Sequence, residues 1–126
     1  MNATRAEKVA AARARMAELA AKFLDRSAGE LESMRESLAK LGGGAVDELV
    51  SIRHLAHRMC GTGATLSFEG MSDCAERLEK IADAQPPGAV PDAAALTQLG
   101  VAIEAIAAEL ARLRRADQKS TRTVAP

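Results

Sequence analysis

The stretch LAHRMCGTGATLSFEG, Leu55 to Gly70, decides the fold. Projected at about 100° per residue from Ala45 to Ala64, Leu49, Ile52, Ala56, Met59, Cys60 and Gly63 fall on one stripe, the pattern of a helix facing a core. His57 lies roughly 120° from the centre of that stripe and His54 nearly opposite it, so both rings reach water. Gly61 stands one helical turn after His57. Glycine inside a helix costs about 0.5–1 kcal/mol relative to alanine, which calls for a reason in an alanine-rich chain. Close approach to the His57 ring is the reason expected here.

Working outward, each flank reads as helix. Thr4 and Glu7 have capping-box spacing, and Val9, Met16, Leu19, Ala20 and Phe23 recur at helical intervals, giving a first helix from about Arg5 to Asp25. Ser27 and Glu30 repeat the capping-box spacing before Leu31, Met34, Leu38 and Leu41, so a helix either restarts there or continues through a kink. Gly42, Gly43 and Gly44 end it. The His57 helix follows from about Ala45 to Ala64, with Asp47 and Glu48 in its first turns. Ser67 is the expected N-cap of a third helix that turns Met71, Ala75, Leu78 and Ile81 inward. Gln85 to Pro91 holds three prolines and a glycine and reads as an exposed loop. Asp92 caps a last helix whose seam, Leu96, Leu99, Ile103, Ile106, Leu110 and Leu113, suits an antiparallel bundle. The expectation is an all-α fold: an antiparallel four-helix-bundle core with an additional N-terminal helix or helix extension over 1–116, then a flexible polar tail over 117–126.

Composition agrees. Trp and Tyr are absent and Phe occurs twice, which favours helix over sheet. Seventeen basic and seventeen acidic residues leave no net field for a polyanion, so nucleic acid is not an expected partner. No unbroken apolar run approaches the ~20 residues of a membrane span and no signal-peptide core is present, so the expectation is a cytoplasmic protein without a membrane partner. Cys60 and Cys74 are too few for a disulfide scaffold and read as two buried thiols.

The residues His57, Arg58, Met59, Cys60, Gly61, Thr62, Gly63 and Ala64 resemble the motif of histidine-containing phosphotransfer (HPt) domains: a histidine, two residues, usually a lysine, then glycine and small residues. The resemblance continues through Leu66, Ser67 and Phe68 to the pair Leu78-Glu79, and the Phe68 region is also similar to the phosphotransfer domain of chemotaxis kinases. Cys60 departs from it by occupying the lysine position. The resemblance implies that His57 accepts a phosphoryl group and exchanges it with receiver-domain aspartates in a two-component phosphorelay. The implied partners are a response-regulator receiver and a hybrid histidine kinase, and the carrier is expected to be a monomer. A neutral imidazole is nucleophilic near physiological pH, its reference pKa being about 6.5. Phosphoryl transfer needs positioning and charge neutralisation above all, so Mg²⁺ and carboxylates on the receiver can supply the catalysis. No cofactor or catalytic centre is expected in this chain.

His57 is preferred to His54 as acceptor because it stacks over Gly61 on one face. The expected docking face is Val50, His54, Arg58, Gly61 and Ala64 around His57. Arg53 and Arg58, with Gly61, are the candidates to support the phosphoryl group in place of the lysine. Two other classes compete. His54, His57 and Cys60, with Cys74 on the next helix, suggest zinc, but the first three fan across roughly 120° of helix surface and Cys60 points toward the core. A helical adaptor that binds a kinase or receiver without carrying phosphate would keep its activity when His57 is replaced.

Overall fold

A computed structural model describes residues 4–124, with side chains described through residue 119. Four helices follow one another: α1 (Arg5–Gly42), α2 (Glu48–Thr65), α3 (Glu69–Asp83) and α4 (Ala93–Val124). α2 packs against α1 and α3, and α4 closes the ring against α3 and α1. The helices run antiparallel, as short connections require. Arg114 bonds Asp25 and Arg35 bonds Glu104, so ten residues forward on α1 correspond to ten back on α4. Phe23, Met34, Leu41, Ile52, Met59, Met71, Leu78, Leu99, Ile103 and Ile106 fill the centre.

α1 is one continuous helix, which settles the choice between restart and extension. Thr4 accepts from the Glu7 amide and Glu7 reaches back to the Thr4 amide, the expected capping box. The second match, at Ser27, is not used. Ser27 is fully buried between Leu24 and Leu31 on the core face, and its hydroxyl has no hydrogen-bond partner among the described residues. A cap is worth about 1 kcal/mol, whereas burying each of Leu24, Leu31 and Met34 is worth about 1.5–3 kcal/mol, and an unbroken helix buries all three. Val9, Met16 and Leu19 carry the apolar pattern but stay 44%, 48% and 49% exposed, because α2 and α3 end at the level of Phe23.

Gly43 C-caps α1 and Gly44 takes φ +108°, a conformation glycine adopts freely. Three residues outside the helices, Ala45 to Asp47, precede α2, so this helix starts later than its pattern suggests. Ser67 is not the N-cap of α3. It stands at φ +64°, with its amide bonded to the Ala64 carbonyl and the Phe68 amide bonded to the Gly63 carbonyl at 2.8 Å. That is a Schellman closure of α2 with serine where glycine is usual. It sends Phe68 onto Phe23, ring centroids 5.5 Å apart, and Phe68 becomes the residue preceding α3.

Asp92 does cap α4, accepting from the Ala95 amide at 2.8 Å. α4 then runs on to Val124, past the point near Arg115 where the polar composition suggested a tail. Nothing between Arg115 and Val124 breaks a helix, and the first proline lies outside the described residues at 126. The segment Ala93–Lys119 is apolar and long enough to cross a membrane by length and composition, since its alanines raise the average. Its large apolar residues Leu99, Ile103, Ile106 and Leu110 are buried in the bundle, the pattern of a core helix.

Candidate functional site

His57 sits midway along α2 with its side chain 75% exposed. Its position follows from the buried neighbours Ala56 and Met59, which fix the inward face and leave residue 57 outside. The ring is nevertheless held. Nδ1 lies 2.7 Å from Oε2 of Glu79 on α3, whose side chain is 21% exposed. Arg53 and Asp83 meet one turn along the same seam at 3.5 Å, so four residues back on α2 match four forward on α3. A carboxylate only accepts hydrogen bonds, so Nδ1 carries the proton toward Glu79, and in the neutral ring Nε2 is the nitrogen with the free lone pair.

Beside the ring is a shallow hollow of about 340 Å³ lined by Arg26, His57, Arg58, Gly61, Thr62 and Thr65. Glu30 on α1, its side chain only 11% exposed, ties down two cations there: Arg26 Nε at 3.2 Å and Arg58 at 3.9 Å. Arg58 thus lies beside the ring. Arg26 was not anticipated from the sequence, since it comes from α1 and only the α1–α2 packing brings it near. Arg53 instead lines a separate hollow with Val50, Asp83 and Pro87, between the α1–α2 turn and the loop before α4. Val50, His54 and Ala64 are exposed on the outer side of α2.

Gly61 needs a different explanation from the one expected. A Cβ built there meets nothing within 4 Å, so the glycine does not make room for the His57 ring. The close approach is at Gly63, where a Cβ would come within 3.3 Å of the Ser72 amide nitrogen and 3.4 Å of the Phe68 carbonyl. Cys60 is turned to α3: the Ser72 hydroxyl donates to the Cys60 carbonyl at 2.9 Å and lies 3.4 Å from its Sγ. Burial, with Glu109 and Asp73 nearby, pushes the Cys74 thiol up, which suits an unreactive side chain. Among the described residues no three His, Cys, Asp or Glu side chains gather as metal ligands.

Glu79 is the neighbour of His57 that periodicity and spacing did not single out, although the resemblance runs as far as the pair Leu78-Glu79. The available signal was its place on α3, one residue after buried Leu78 and four after buried Ala75, which sets it on the flank of the packed face.

Fold and site together define a helical-bundle module that presents one oriented histidine to solvent. The family model of the Hpt domain matches residues 18–116 of the 126, and the chain belongs to that family. Comparison with curated proteins and with solved structures finds no match.

Proposed function

We propose that the protein is a phosphocarrier that accepts a phosphoryl group on Nε2 of His57 from a receiver-domain aspartate and returns it to another. The observation that carries this reading is the exposed His57 ring with Nδ1 held by Glu79 at 2.7 Å. In the forward step the Nε2 lone pair attacks phosphorus, the N–P bond forms, and the P–O bond to the aspartyl carboxylate breaks. Nδ1 keeps its proton, and the positive charge that develops on the ring is met by the Glu79 carboxylate. Reversal toward a second receiver restores the neutral ring.

The chain then needs no catalytic centre of its own, because a receiver supplies Mg²⁺ and carboxylates. The docking face is the outer side of α2, with Val50, His54, Gly61 and Ala64 around the histidine. Arg58, and more weakly Arg53, supports phosphoryl charge where Cys60 cannot. A hybrid histidine kinase upstream, a cytoplasmic location and a monomeric carrier complete the reading. The test is incubation with phosphorylated receiver domains from the same genome. His57→Gln abolishes acid-labile, base-stable labelling while preserving circular dichroism, and His54→Gln leaves most of it. Robust acid-labile phosphate on the His57→Gln protein would overturn the assignment.

A further inference from the structure

α1 extends past the bundle. Its apolar pattern continues N-terminally from buried Phe23 through Leu19, Met16, Ala12 and Val9, a 4-3-4-3 spacing in line with the face that packs in the core. α2 and α3 meet at the Phe23–Phe68 stack, so beyond it neither of them lies across this stripe, α4 alone running on alongside α1, and Val9, Met16 and Leu19 are 44–49% exposed. Residues 5–17 also lie outside the 18–116 matched to the family.

The charges beside the stripe identify what fits it. At about 100° per residue, Lys8, Arg15 and Lys22 form a row at seven-residue intervals along one edge, and Arg13 lies along the other. Glu7 and Glu18 fall on the reverse face. Among the described residues Lys8, Arg13 and Arg15 make no ion pair, and Lys22 has only an exposed contact with Glu18 at 3.8 Å. A chain with no net charge therefore carries a basic rim around this exposed apolar seam. A second copy does not match this surface: parallel pairing opposes Lys8 to Arg13, and antiparallel pairing opposes the row to itself, like charges in both cases. A lipid surface matches poorly, since the stripe is narrow and has no aromatic residue at its exposed positions.

We propose that the Val9–Leu19 stripe of α1 docks an amphipathic helix of a protein partner, with an aliphatic seam and acidic flanking positions. Such a helix completes the layer that α2 and α3 leave unfinished, and its carboxylates meet Lys8, Arg13, Arg15 and Lys22. His57 takes no part in this contact.

The experiment uses the full chain and two labelled three-heptad peptides that share a leucine seam, one with Glu and one with Lys at every flanking position. Fluorescence anisotropy is expected to show the Glu peptide binding roughly tenfold or more tightly than the Lys peptide. Its affinity should fall as salt rises above about 0.1 M, where the screening length is near 10 Å. Met16→Asp with Leu19→Asp should lose binding with helix content unchanged. The triple variant Lys8→Glu, Arg15→Glu, Lys22→Glu should exchange the preference to the Lys peptide, a gain that misfolding does not produce. Equal binding of the two peptides, or none of the Glu peptide, overturns the proposal. So does a dimer in sedimentation equilibrium that Met16→Asp dissolves, or tighter binding to phosphatidylserine vesicles than to the Glu peptide.

Discussion

An imidazole that is three-quarters exposed ordinarily samples several rotamers, and each non-productive one subtracts from its reactivity. Glu79 removes that freedom and fixes which nitrogen bears the proton. Glu79→Gln keeps the size of the side chain but can present its amide N–H to Nδ1, which selects the wrong tautomer. Initial rates of phosphoryl transfer from a receiver to this variant should fall on the order of tenfold or more, with unchanged circular dichroism. A rate within twofold of the native protein would show that the contact is structural. The two glycines near the ring separate by the same kind of measurement. Gly61→Ala should raise stability by about 0.5–1 kcal/mol, because the position is helical and its Cβ meets nothing. Gly63→Ala should lower stability, because its Cβ presses on backbone atoms of Phe68 and Ser72 that cannot rotate away. Denaturant midpoints of the two variants, moving in opposite directions, check both. Slower transfer by the stabilised Gly61→Ala protein would locate the need for that glycine in the partner's approach.

At the scale of elements, the connection between α2 and α3 sets the geometry of the site. The Schellman closure at Ser67 stops α2 after Thr65 and turns the chain so that α3 returns along α2 with Glu79 opposite His57. A left-handed backbone costs a non-glycine residue about 1–2 kcal/mol, and here serine bears that cost. Ser67→Gly should therefore stabilise the fold by about 1 kcal/mol, after allowance for glycine's greater freedom in the unfolded chain. Thermal unfolding is the measurement, and a lower Tm would mean that the Ser67 side chain contributes more than its backbone strain takes away. The α1 helix shows the reverse relation between local signal and outcome. Its internal capping match at Ser27 is strong by spacing, yet the residue lies inside an unbroken helix with its hydroxyl unpartnered among the described residues.

For the whole molecule, the distribution of burial separates a four-helix body from a projecting arm. Every residue from Thr4 to Leu19 is exposed, whereas burial on α1 begins at Phe23. Deleting residues 1–17 should remove helical signal in proportion to length and leave the Tm of the body within a few degrees, since no core contact is lost. A collapse of the cooperative transition would show that the arm supports the body. The pattern of apolar residues, read with glycine and proline positions, determined by itself that the chain is all-α, where three of its connections fall, which faces of α2, α3 and α4 are inward, and that His57 is exposed. These are consequences of periodicity and local backbone chemistry, which act over a few residues. Tertiary structure alone decided that α1 is continuous, that neither α2 nor α3 covers its first half, and that of the two glycines near the ring Gly63 rather than Gly61 is packed against backbone. It also decided that Arg26, Glu30 and Glu79 converge near His57 from 22 to 31 residues away in sequence. Those outcomes depend on where neighbouring helices end and how they are registered, and that is set by the sum of packing across the bundle, which no local pattern contains.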